Sequence, residues 1–301
     1  MMVGKSVGCA VVRAKTTRPR KARFPREAYV KRFKRNWQPV IRTQARRIVT
    51  ELYKRGVLAD YHAWYSAKHP RITSKADPLT DRQQLDIMAE MLQAESQRWW
   101  TDSEVVAALI KEGVIDVAKE ASKYAFANMG VMTQWNMESP FIADLIKQRV
   151  NMTTTITSDT VFEQVKSMLV EQFYELGAGA VDTSFMARLK DVIPGSTDYI
   201  VERLARTEVG TIQSQMQQKT WESNGVTHKE WVHTGGLEPR ESHIAMSGEV
   251  VPMDQPFSNG LMYPLDPAGG PEEICNCRCH HSPIVDDELT DQLAAEGVVN
   301  E

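Results

Sequence analysis

Apolar residues recur at helical spacing over most of this chain and give way to short runs only near its end. Val40, Ile41, Ala45, Ile48, Val49 and Leu52 predict a helix opening near Trp37, with Gly56 as its stop. A second helical stretch is expected over residues 81–128, where Leu85, Met88, Met91 and Leu92 are followed by Val105, Ala108, Leu109 and Ile110. Pro140 precedes a short helical pattern from Phe141 to Ile146, as suits a first helical turn. Thr160 and Glu163 have capping-box spacing for a helix reaching Leu176, closed by Gly177 and Gly179. The Thr-rich stretch 153–157 reads as a linker or an isolated strand.

The clearest helix is expected over residues 197–224, with Ile200, Leu204, Val209, Ile212 and Met216 on one face and Asn224-Gly225 as its end. Glycine and proline then become dense. Apolar runs at 229–232 and 250–253 predict small strands packed on that helix, an α+β unit. The fold class expected is α+β: a mostly helical N-terminal and middle region, then a small α+β domain. The divisions are a basic flexible arm at 1–36, a helical domain at 37–156, an α+β domain at 157–285 and an acidic tail at 286–301 with a weak helical pattern. Gly195 is an alternative to Thr157 as the boundary before the last domain.

Charge changes this picture at one end. The net charge of −3 hides 15 Lys and Arg against the single acid Glu27 in residues 1–50, a local charge of +14 that leaves −17 for the rest. A basic arm attracts polyanions and releases counterions from nucleic acid without reading sequence. Arg18, Arg20, Lys21, Arg23, Arg26, Lys31, Arg32, Lys34 and Arg35 are the candidate contacts to DNA or to an acidic protein surface. Phe24, Tyr29 and Phe33 lie among them, able to stack on bases or to pack against the body. Composition is otherwise that of a globular protein, 42% apolar and 25% charged. The apolar stretch Val7–Val12 is too short for a secretion signal, and no run is long enough to span a bilayer. Synthesis in a cytoplasm is expected, and with it free thiols or a metal site rather than disulfides.

The chemistry-bearing residues lie in the last third. Arg206 and Glu208 are two apart on a helix and do not face each other, whereas Glu202 and Arg206 are spaced to pair. Arg206 has the reach to brace the small sheet in bidentate fashion. Trp231 ends a strand and is expected in the core. Arg240 and His243 share a face if helical, suited to a phosphate or to acid–base work, but no carboxylate stands at a spacing that would orient the imidazole. Cys275, Cys277, Cys279 and His281 fall on one side of the chain if it is extended, and thiolate and imidazole are zinc ligands. A straight strand spreads them too widely for one ion, so a bend, or sharing with His233 or His243, is required. Buried thiols packing as small apolar groups are the alternative. No phosphate-binding glycine loop, nucleophile elbow or zinc-protease motif occurs.

Ala205-Arg206-Thr207-Glu208, Trp231 with Thr234-Gly235, Arg240 with His243, Gly248, and Asn276-Cys277-Arg278-Cys279 follow one another in fixed order. This succession resembles the C-terminal domain of the Mu F-like minor head proteins of tailed bacteriophages, over residues 157–285 and most closely from Leu204 onward. Gly236 and Ser247 stand where the family pattern has acids. The resemblance implies that Arg206, Thr207, Glu208, Trp231, Arg240, His243, Asn276, Cys277, Arg278 and Cys279 are signature residues of the domain. It also implies a minor capsid protein inside the head at the portal vertex, made in the host cytoplasm. Its partners would be portal protein, capsid or scaffold protein and double-stranded DNA, with no membrane. It would aid procapsid assembly and DNA packaging or delivery. No residue is assigned a catalytic role, and zinc is the one candidate cofactor. The alternative is an injected nucleotide-cleaving or nuclease enzyme using Arg206, Glu208, Arg240 and His243.

Overall fold

The computed structural model describes residues 15–16, 23–54, 103–153, 183–236 and 239–299. Their order is β1 (Lys15–Thr16), α1 (Arg26–Lys54), α2 (Ser103–Asn128), β2 (Val131–Met132), α3 (residues 140–153) and α4 (Thr183–Ser223). Then come β3 (His228–Val232), α5 (Glu241–Ala245), β4 (Val250–Pro252), a 3-10 turn Pro267–Gly269, α6 (Gly270–Ile274), β5 (His280–Ile284) and α7 (Asp287–Glu296). This is an α+β protein, mostly helical, as its periodicity predicts. Among the described residues no helix is long and apolar enough to cross a membrane.

The chain divides into two compact units. One comprises Lys34–Leu109 and Asn151–Glu202. In it Trp37 and Ile41 of α1 and Ile200 and Val201 of α4 are buried. Lys34 pairs with Glu202 at 2.7 Å, and Asp198 accepts from Arg42 at 2.6 Å and from Gln38.

The other unit comprises Met1–Phe33, Ile110–Val150 and Arg203–Glu301. Val114, Val117, Ala118, Ala121 and Ala125 form the buried stripe of α2, with small residues that let neighbouring backbone come close. The indole of Trp221 donates to the Ala125 carbonyl at 3.0 Å, and that of Trp135 to Thr220 Oγ1 at 2.7 Å, so both buried rings have their polar edge satisfied. The antiparallel sheet has the order β4-β3-β5, with Trp231 opposite His281 and Lys229 between Val251 and Pro283. Trp231, Met246, Phe257, Leu261, Leu265, Cys277 and Cys279 form one buried apolar cluster.

Two expectations need correction. The arm does not extend to residue 36: α1 opens at Arg26, and Phe24, Val30 and Phe33 are buried. Val30, Phe33, Trp37 and Ile41 make a helical apolar stripe whose opposite face carries the basic residues, and burial of that stripe supplies the order that composition denied. Phe33 lies so close to Gly113 that a Cβ there would stand 2.5 Å from its Cζ. The long helix starts at Thr183 rather than Thr197, running through Pro194 and Gly195, because residue preference is a weak term that its context overrides. The weak helical pattern of the acidic tail is borne out as α7, capped by Asp286, whose carboxylate accepts from the Leu289 N–H at 2.8 Å. The expected helix at 160–176, residues 81–102 of that at 81–128 and the 154–157 stretch lie outside the described residues, while residues 103–128 form α2 as expected.

Strand alternation turns Lys229 inward beside Trp231, and its ammonium donates to the Met253 carbonyl at 2.9 Å and to Gln218 Oε1 at 3.4 Å. Burial pulls its pKa down to about 8, against the opposing pull of Glu222, Asp254 and Asp266. The folded value thus lies below the unfolded one of about 10.4, so the unfolded chain holds the proton more tightly between them and stability rises with pH in that window. Relative to Lys229→Met, wild type should gain thermal stability as pH is raised from about 7.5 to about 10, measured as paired melting temperatures. A pH-independent offset between the two would mean that Lys229 does not titrate there.

Candidate functional site

The site forms where α5 and the loop after α6 meet the end of β3. Arg240 precedes α5, and its guanidinium donates to the carbonyls of Glu272 and, at 2.9 Å, Cys275. That contact seats α5 against the 272–275 segment and brings His243 inward, where it is 2% exposed. Its Nε2 lies 2.7 Å from Glu273 Oε2, and its Nδ1 lies 3.5 Å from Cys277 Sγ and 3.7 Å from Cys279 Sγ. The ring meets Trp231 edge to face, centroids 5.1 Å apart. His233 Nδ1 is 3.9 Å from Cys279 Sγ.

The cysteine segment carries the bend that a shared site requires. The strand begins only at His280, and Asn276 has φ 59, a left-handed conformation that Asn tolerates better than most residues. Its side chain is held there: Asn276 Oδ1 accepts from Arg206 at 2.7 Å, and its N–H donates to Thr207 Oγ1 at 3.1 Å. The turn sends Cys277 and Cys279 into the interior. Arg26 then bonds the loop from outside, donating to the carbonyls of Cys279 at 3.0 Å and Cys277 at 3.5 Å, and to Gln213 Oε1 at 2.8 Å. Thr234 donates to the Arg278 carbonyl. The signature residues of the Ala205–Glu208 helix segment and of the Asn276–Cys279 loop are therefore physically joined.

The expected metal set changes accordingly. His243, Cys277 and Cys279 are the described group whose ligand atoms come together, all within 4.8 Å of one another. Cys275 closes α6 outside that group. His281, opposite Trp231 in the β3–β5 register, has its ring against Trp221, with centroids 4.9 Å apart, and over Tyr263. Burial pushes its pKa well below the usual imidazole range, so it is neutral. Glu273, thirty positions beyond His243, was invisible as an orienting carboxylate because no periodicity links the two. Its own position is steadied by Asn259 Nδ2 at 3.5 Å.

The site's charges are coupled. A hydrogen bond from Cys279 and then one from His243 draw the Cys277 thiol down to about 4, against burial, while the same contact holds the Cys279 proton and pushes its pKa up. Burial pulls His243 down, but Cys277 and Glu273 outweigh it and its pKa is raised. Cys277, His243 and Glu273 thus have the order of a nucleophile, base and orienter. At 3% exposure within an apolar cluster, however, the Cys277 sulfur is closed to a substrate.

The other residues considered for catalysis do not converge with His243. Glu208 forms a buried pair with Arg149 of α3, whose Nη2 lies 2.6 Å from both carboxylate oxygens. Arg149 had no local signature that marked it. Arg206 binds Asn276 and approaches Glu27 at 3.6 Å. Of the basic candidates, Arg18, Arg20 and Lys21 lie outside the described residues. Arg23, Lys31 and Arg35 are exposed, Arg32 pairs with Asp116 at 3.2 Å and Lys34 with Glu202. Arg26 is removed from the DNA-facing set: burial lowers its pKa to about 10, still charged at neutrality, and its guanidinium serves the cysteine loop.

Comparison with known proteins converges on the same segment. Residues 172–282 match the family described as Phage Mu protein F like protein. The resemblance drawn from the signature residues holds there, beginning somewhat later than residue 157. The uncharacterized protein YqbB of Bacillus subtilis (strain 168) is 38% identical over 93 residues, which is 28% of this chain and 30% of that protein. The similarity thus spans under a third of that relative's length. No solved structure matches.

Proposed function

From a chain that carries a phage Mu protein F like segment at residues 172–282, we propose a minor capsid protein of a tailed bacteriophage, acting inside the head at the portal vertex. The family match over residues 172–282 supports a part in phage head morphogenesis. In this role the C-terminal domain is a braced scaffold that docks on portal and capsid or scaffold protein, and the basic N-terminal segment makes sequence-independent contact with packaged DNA. The protein would aid procapsid assembly and DNA packaging or delivery. The observation that carries the proposal is the domain signature itself, whose polar residues are engaged within the fold: Arg206 to Asn276, Thr207 to the Asn276 N–H, Glu208 to Arg149 and Arg240 to the carbonyls of Glu272 and Cys275. Groups so engaged brace a fold, which weighs against an effector enzyme built on Arg206, Glu208, Arg240 and His243.

Mass spectrometry of purified procapsids and mature particles of the encoding phage tests the assignment. The protein is expected in few copies in at least one of them; its absence from both would end the proposal. The DNA contact has its own test. Replacing Arg18, Arg20, Lys21 and Arg23 with Gln together should weaken duplex binding at low salt. It should also reduce the slope of log K against log salt by about 3 to 4, since each phosphate neutralised adds about 0.9 to that slope. An unchanged slope would detach this segment from DNA.

A further inference from the structure

We propose that His243 Nδ1, Cys277 Sγ and Cys279 Sγ hold a structural zinc ion, with His233 Nδ1 as fourth ligand and Glu273 as the carboxylate that orients His243. The distances support it first. Zinc binds thiolate at about 2.3 Å and imidazole at about 2.0–2.1 Å, and a tetrahedral arrangement sets adjacent sulfur and nitrogen ligands about 3.5–3.6 Å apart. The protein already holds three donors near those edges, 3.5 Å from His243 to Cys277 and 3.7 Å from His243 to Cys279, while His233 Nδ1 stands 3.9 Å from Cys279 Sγ, outside the group whose ligand atoms all lie within 4.8 Å of one another.

The surroundings match those of a metal-binding histidine. A ligating imidazole usually gives its second nitrogen to a carboxylate, which fixes the tautomer and raises its basicity. His243 does this, with Nδ1 toward the sulfurs and Nε2 at 2.7 Å from Glu273 Oε2. The loop is also drawn into place. Asn276 makes its left-handed turn between the helix-borne Arg206 and Thr207, and Arg26 and Thr234 bond the carbonyls of Cys277, Cys279 and Arg278. The Arg26 guanidinium places a positive charge beside two sulfurs that would be thiolates around the ion.

A zinc ion here would join the end of β3 and α5 to a loop more than thirty residues later, in a sheet of three strands of five, three and five residues. So small a sheet has little core of its own, and a cross-link of this kind stabilises it. The donor set differs from the one that strand alternation implied, since Cys275 and His281 take no part. Metal binding and presence in virus particles are measured separately, so the zinc site can fail while the head-protein assignment holds.

The test uses the full-length protein, stripped of metal under reducing conditions and titrated with Zn2+ or Co2+. One ion per chain is expected. The cobalt form should show tetrahedral d–d absorption and charge-transfer intensity for two thiolates. Cys275→Ser should leave stoichiometry and spectrum unchanged. Glu273→Ala should weaken zinc by about 10–100-fold. His233→Ala should lower affinity while keeping the two-thiolate signal. Cys277→Ser or Cys279→Ser should halve that signal. Should those cysteine variants fail to fold, the thiolate count of the wild-type cobalt spectrum and the behaviour of Cys275→Ser still decide. Binding well below one ion per chain, a spectrum without two thiolates, or loss of metal in Cys275→Ser would each overturn the proposal.

Discussion

Glu208→Ala is expected to destabilise the protein by about 3–5 kcal/mol, the cost of taking the carboxylate out of a buried ion pair. Glu208 and Arg149 are 4% and 3% exposed, so water cannot take the place of the missing carboxylate. Three close contacts join them, two at 2.6 Å from Nη2 and one at 3.2 Å from Nε, and this fork geometry is what a guanidinium and a carboxylate do best. The melting temperature should fall by about 10 °C, and chemical denaturation should show a lower midpoint at unchanged slope. Arg149→Met should cost a similar amount. The double variant Arg149→Met/Glu208→Leu should recover most of the stability, because a well-packed apolar pair replaces the ions without a stranded charge. If Glu208→Ala were within about 1 kcal/mol of wild type, the pair would not be a brace. A stable Glu208→Ala protein without a nucleotide-cleaving activity that wild type possessed would return the enzyme alternative to first place.

Truncation should separate the N-terminal segment into two parts with opposite consequences. Removing residues 1–14, which leaves β1 intact, should give a folded protein. Removing residues 1–36 should give one that does not fold, since it takes Phe24, Val30 and Phe33, all at most 4% exposed. Each such side chain contributes about 1.5–3 kcal/mol by burial, so the three together approach the whole stability of a typical domain. The deletion also removes Arg26, and with it the bonds to the carbonyls of Cys277 and Cys279. Circular dichroism and a thermal melt of the two truncations decide the matter. Cooperative unfolding of the 1–36 deletion near the wild-type temperature would show that α1's first turns are dispensable. Any DNA-binding experiment that uses the longer deletion would measure unfolding rather than charge.

Elements that depend on neighbours along the chain could be read from the residues alone. The apolar stripe of α4, its end at Asn224-Gly225, the strands β3 and β4 and the α+β class all follow from spacing and turn chemistry, which act over a few residues. The order of the signature segments likewise sufficed to identify their family resemblance. What those segments touch was settled only when the whole chain packed. Arg149 finds Glu208 from 59 positions away, Glu273 finds His243 from 30, and Arg26 reaches the cysteine loop from 253. No periodicity connects such pairs, since packing of whole elements brings them together. The same holds for Cys277 and Cys279: alternation groups them with Cys275 and His281, and although the spacing called for a bend or sharing with His233 or His243, only the fold shows that the left-handed Asn276, held by a distant helix, makes the bend and that His243 is the companion.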